Sequence, residues 1–213
     1  MGNFRLLAHP WWVNLLLLVP FVAYFLFRRE KPRLTGHQLL TSAIFALSFG
    51  FVEGAVAIYL GAAVGLLPGY AGTLRDVARL SADLHGQEIL HLSNLPPSLL
   101  TVEVFREAAT MLMLLSVAML AEQKRGERLA TFLWIFALWD IGYYVALRAT
   151  VQWPNSPTSP DVLFLIPVPW TSQVWFPILI SILTAAAILL TRQRGCMTEC
   201  SNVESAADSI EPL

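Results

Sequence analysis

Five apolar runs, at about 11–27, 38–62, 99–121, 129–149 and 174–191, set the limits on what this chain can fold into. Each is close to the roughly 20 residues that cross the hydrocarbon core of a bilayer. Backbone amides and carbonyls in lipid must be satisfied within their own segment, so runs of this kind fold as helices. The composition agrees: 56% of the 213 residues are hydrophobic and only 14% charged, against about 25% charged in an ordinary soluble domain. The sequence predicts an all-α membrane protein with about five transmembrane helices, forming a single domain over 1–194. A small, polar tail at 195–213 is expected to be disordered and cytosolic.

The basic residues predict an orientation. Arg28, Arg29, Lys31 and Arg33 follow the first span, Lys124, Arg125 and Arg128 separate the third from the fourth, and Arg192 and Arg194 follow the fifth. All fall on one side, which the positive-inside bias makes cytosolic, so the N-terminus is expected outside and the C-terminus inside. These clusters are short and flank the spans, and the net charge is −1. They read as topology signals, and a nucleic-acid partner is not expected. Trp11 and Trp12 open the first span as an interfacial belt.

Two connections carry information. Within 68–98, the stretch 73–84 has one apolar helical face and reads as a short amphipathic helix on the membrane surface. Pro96 and Pro97 then suit the first turn of the third span. The second connection contains DVLFLIPVPW at 161–170, too apolar for a solvated loop and too short to cross. Pro167 and Pro169 would break a helix there, so the segment is expected to be a re-entrant or interfacial lid over the outer helix ends.

Against this apolar background stand Glu53, Glu103, Glu107, Asp140 and Asp161. A carboxylate at the centre of a lone membrane helix costs about 2.5–3.5 kcal/mol on insertion scales. At a helical rise of about 1.5 Å per residue, Glu103 and Glu107 lie roughly 6 and 12 Å deep, Glu53 near 10 Å and Asp140 near 14 Å. All four fall in the predicted outer half. Glu103, Arg106, Glu107 and Thr110 share an arc of about 100° on the third span, and Asp140, Tyr143, Tyr144 and Arg148 group within about 140° on the fourth. Gly50 and Gly54 bracket Glu53 and allow a neighbouring helix to approach. The candidate chemical residues are therefore Glu53, Glu107 and Asp140, with Arg106 and Tyr144. Glu53, Glu103, Glu107 and Asp140 are the candidate ligands of a divalent cation, because carboxylates suit hard ions. An alternative stays open: Arg106 and Arg148 neutralise two carboxylates, a tyrosine hydroxyl satisfies another, and the group is a structural clasp.

Other chemistries find little footing. There is no G-x-S-x-G elbow, H-E-x-x-H pair or phosphate-binding loop, and no span holds a histidine base for a nucleophile. His85 and His91 match no strong ligand spacing, and Cys196 and Cys200 lack the rest of a ligand set.

GFVEGAVAIYL at 50–60, FREAATMLML at 105–114, WDIGYYV at 139–145 and DVLFLIPVPW at 161–170 together resemble a group of uncharacterised small bacterial polytopic membrane proteins. The resemblance covers roughly 38–190 and implies a bacterial inner-membrane protein. It assigns no catalytic residue. The expected function is a carboxylate-rich pocket in the outer half of the bilayer, binding a cation or carrying acid–base chemistry on a membrane-soluble or periplasmic substrate. A small cation- or proton-coupled transporter and a non-catalytic subunit of a larger membrane complex are the alternatives.

Overall fold

The computed structural model describes residues 7–66 and 97–193. The expected amphipathic helix at 73–84, His85, His91 and the tail with Cys196 and Cys200 lie outside these residues. A 3-10 stretch, Trp11–Leu18, leads into α1 (Val19–Glu30), followed by α2 (Gly36–Leu66), α3 (Pro97–Ala121) and α4 (Arg125–Val151). Two short strands, β1 (Pro160–Phe164) and β2 (Trp170–Gln173), precede α5 (Trp175–Thr191). Among the described residues, four helical stretches are long and apolar enough to cross a membrane: Trp11–Glu30, Gly36–Tyr59, Leu100–Ala121 and Arg125–Val151. The fifth expected span is an apolar helix of 17 residues, about 26 Å long, somewhat short of a hydrocarbon core of about 30 Å.

Local chemistry explains where these helices begin and end. Pro20 occupies the first turn of α1, where its missing amide proton is harmless. Lys31, at φ 48°, stops α1 in the left-handed region and donates its amide to Phe27 O at 2.8 Å. Thr35 and Gln38 form a reciprocal cap at the start of α2. The Gln38 amide donates to Thr35 Oγ1 at 3.2 Å, and the Thr35 amide donates to Gln38 Oε1 at 2.9 Å. Pro97 is the first residue of α3, as its chemistry predicts.

The most extensive helix contact is between α2 and α4, which run parallel; α5 packs on both α1 and α4, and α3 packs on α4. Glycine makes the α2–α4 contact possible. A methyl group added at Gly50 would lie 2.5 Å from the Trp139 carbonyl oxygen, and one at Gly142 would lie 3.1 Å from Leu47 Cα. At the end of the bundle that carries Arg28 and Arg128, the interior is largely apolar, with Glu122 and Thr131 also buried there. Phe27, Leu34, Leu114, Ile135 and Ile188 are fully buried there, and the Trp134 indole donates to Leu39 O at 3.1 Å.

The segment 161–170 is non-helical, as its prolines predict, and its backbone is paired. It is most of an antiparallel hairpin, pairing Pro160 with Gln173, Asp161 with Ser172, Val162 with Thr171 and Phe164 with Trp170, with a bulge between Val162 and Phe164. The chain before α1 adds a third backbone partner. The His9 amide donates to Thr171 O, and the Thr171 amide donates to His9 O, both at 2.8 Å. This pairing satisfies backbone groups that an apolar setting would otherwise strand. The Trp12 ring meets Trp170 edge-on at 5.0 Å and fastens the hairpin to the start of the first span.

Candidate functional site

Beneath the hairpin lies a cavity of about 750 Å³ lined by residues of the first span, α2, α3, α4, α5 and the two strands. Its walls are largely aromatic and aliphatic, including Phe132, Phe136, Trp139, Phe164, Trp170 and Phe176. Glu53, Arg106, Glu107, Asp140, Tyr143, Tyr144 and Asp161 also line it. Leu16 and Val19 face it from one side and Met111 and Leu112 from the other. Leu112 is 63% exposed on the outside of the bundle. Leu112 thus belongs both to the cavity lining and to the exposed apolar surface of α3.

The expected site residues divide into four pairings around this space. Arg106 donates to Glu53 and, through Nε, to Glu103 Oε2 at 2.8 Å. Thr110 Oγ1 donates to the other oxygen of Glu53 at 2.6 Å. Arg106, Glu103 and Thr110 sit three or four positions apart on α3, so one helical face holds the whole group against Glu53 of α2. Glu53 and Glu103 are both buried. Glu103 stands behind Arg106 and is not among the residues that line the cavity.

Glu107, on the same helix, turns towards the hairpin. The Leu165 amide donates to its two oxygens at 3.1 and 2.9 Å. Asp140 of α4 accepts the Ser181 hydroxyl of α5 at 2.8 Å. Its residual exposure is to the cavity, which is why it is half-buried although it sits inside the bundle. Tyr144 donates to Asp161 Oδ2 at 2.6 Å, while the Val162 amide donates to Asp161 Oδ1 at 2.8 Å. Tyr144 therefore serves the hairpin carboxylate and donates to none of the carboxylates on the helices.

One expectation needs correction. Arg148 neutralises no carboxylate among the described residues. It is exposed and donates through Nη1 to Gln152 O at 2.6 Å and Pro154 O at 3.3 Å, capping the end of α4. The free carbonyls of a helix C-terminus are close at hand there and attract a cation. Arg106 thus carries the ion pairing of the region, and neither Glu107 nor Asp140 forms a salt bridge among the described residues.

Nor do the four candidate cation ligands converge. Among the described residues no three His, Cys, Asp or Glu side chains form a group that could hold a metal ion. A hard cation such as Ca²⁺ takes six to eight oxygens, whereas Glu53 and Glu103 are occupied by Arg106 and Asp140 lies on a different wall.

Several polar groups at the cavity escaped sequence reasoning. Ser181 and Thr184 lie one turn apart on the otherwise apolar α5, a spacing that could have marked them. The Thr184 hydroxyl and the indole N–H groups of Trp139 and Trp170 are buried without a hydrogen-bond partner among the described residues, and all three residues line the cavity. Buried polar groups are rarely left unmatched. Comparison with known proteins adds no assignment: no family model, no curated protein and no solved structure matches the chain.

Proposed function

We propose that the protein is a membrane-embedded binding protein that admits a membrane-soluble small molecule to the cavity and exchanges a proton or a positive charge with it at Glu107 and Asp140. The carrying observation is the division of labour among the carboxylates. Glu53 and Glu103 are held by Arg106. Glu107 and Asp140 line the cavity, each with a neutral donor and neither with a cationic partner among the described residues. A carboxyl group in an apolar space must hold a proton or meet a positive charge, and that is the property an acid–base or charge-recognition site uses. Apolar walls with a few placed polar groups are the usual form of a small-molecule site.

In this reading the hairpin end of the bundle faces outwards in a bacterial inner membrane and the arginine-rich end faces the cytosol. The apolar packing around Phe27, Leu114, Ile135 and Ile188 supports a pocket closed on the cytosolic side over a through-path for ions. It also makes the divalent-cation version of the site the less supported one, together with the scattered ligands.

The test is mass spectrometry of small molecules retained by the protein in native-membrane discs. Wild type and an Arg148→Gln variant should carry the same bound species. Asp140→Asn and Glu107→Gln should lose most of it while keeping the thermal midpoint of the wild type. Retention in all four, or a collapse of stability in the two carboxyl variants, would return these residues to a structural clasp.

A further inference from the structure

We infer that the molecule taken into the cavity is a lipophilic organic cation. The inference rests on the binding role proposed above and names the chemical class of its ligand.

Charge is the first argument. Among the described residues, Glu53, Glu107, Asp140 and Asp161 line the cavity against the single guanidinium of Arg106. Arg106 is already shared between Glu53 and Glu103, so it has little attraction left for an anion. Asp161 is satisfied by Tyr144 and the Val162 amide. Glu107 and Asp140 remain, and each accepts a hydrogen bond that supports the ionised form: Leu165 N–H for Glu107 and Ser181 O–H for Asp140. An anion would find no uncommitted cationic group here among the described residues. A cation would supply the positive charge that lets Glu107 and Asp140 ionise in an apolar space.

The walls are the second argument. Phe132, Phe136, Trp139, Tyr143, Phe164 and Trp170 surround the acidic groups. Aromatic faces attract cations through the ring quadrupole, most strongly when water is excluded, and they reject a small hydrated ion that would have to shed its shell. The enclosed volume of about 750 Å³ suits a drug-sized organic ion. Thr184 gives a third, separate indication. Its side chain is 3% exposed and its hydroxyl has no partner among the described residues, although it belongs to a residue lining the cavity one turn from Ser181. Leu112, which lines the cavity and is exposed on α3, marks where such an ion would enter from the bilayer.

Three probes of one shape separate charge from size: tetraphenylphosphonium, tetraphenylborate and neutral tetraphenylsilane. Their binding to the full-length protein in lipid discs is measured by equilibrium dialysis, with empty discs subtracted. Tetraphenylphosphonium should bind saturably and at least tenfold more tightly than the neutral probe, and tetraphenylborate should not bind. Asp140→Asn and Glu107→Gln should each weaken the cation about tenfold, while Asp140→Glu, which keeps the charge, and Asn155→Gln, outside the cavity, should not. If the neutral probe binds as tightly as the cation and Asp140→Asn still weakens it, the cation inference is overturned while the binding role stands. Preferential binding of the borate overturns the inference in the same way. Saturable binding of none of the three overturns both.

Discussion

The backbone amide of Leu165 donates to both oxygens of Glu107, at 3.1 and 2.9 Å. That contact ties the hairpin over the cavity to a carboxyl group that lines it, so the state of the site and the seating of the hairpin are linked.

Glutamine at position 107 keeps an oxygen for that amide, and alanine does not. Glu107→Ala should therefore destabilise the protein by about 1–3 kcal/mol through a stranded amide and raise hydrogen exchange at Leu165. Glu107→Gln should leave exchange there close to wild type. Equal protection at Leu165 in both variants would mean that other contacts hold the hairpin.

Gly50 and Gly142 set the distance between α2 and α4. Gly50→Ala forces a methyl group against the Trp139 carbonyl and the Tyr143 amide, both main-chain atoms that cannot swing aside. Overpacking of this kind costs about 1–3 kcal/mol. Gly36→Ala, with nothing within 4 Å of the added methyl, should be near neutral. Reversible unfolding in detergent distinguishes the two, and equal midpoints would refute the tight contact.

How far the sequence reached can be followed residue by residue. The apolar runs marked the helices because their length and composition are local properties. The arc of Glu103, Arg106, Glu107 and Thr110 was legible because helical geometry fixes which residues share a face. The arc nevertheless splits, with Glu107 turned to Leu165 and the others to Glu53. That division depends on the hairpin, whose pairing with His9 joins residues distant in sequence. The alternative in which Arg148 neutralises a carboxylate stayed open because sequence spacing cannot weigh a charge against nearby helix-end carbonyls. The unmatched groups of Trp139, Trp170 and Thr184 appear only once the cavity is formed.

Glu122 follows the last residue of α3 and accepts the Thr131 hydroxyl at 3.3 Å. Its burial pushes its pKa up from the ordinary value near 4.5, the Thr131 hydrogen bond opposes that, and Glu127 adds to it. A carboxyl raised on folding means the native state binds more protons than the unfolded chain above pH 4.5, so stability falls as pH rises through that window. Glu122→Gln should flatten this part of the pH–stability curve. An unchanged slope would show that Glu122 is not its source.

The orientation is tested with an impermeant thiol reagent on intact cells, in a background lacking Cys196 and Cys200. Cysteine at exposed Asn155, in the turn before the hairpin, should react, and cysteine at exposed Gln123, in the turn between α3 and α4, should not. Reaction at 123 alone would reverse the orientation and place the cavity at the cytosolic end.

The central claim is that Glu107 and Asp140 serve a ligand while Glu53, Glu103 and Arg106 hold the bundle together. The most direct measurement is the unfolding free energy, in detergent without added ligand, of the Glu107→Gln/Asp140→Asn double variant beside Arg106→Gln. Both amides keep the oxygens that Leu165 and Ser181 address, so the double variant should be as stable as wild type or more so, since two carboxyl groups lacking cationic partners are removed. Arg106→Gln strands Glu53 and Glu103 and should cost about 3–5 kcal/mol. A double variant that loses as much as Arg106→Gln would contradict the account and make all five residues one structural clasp.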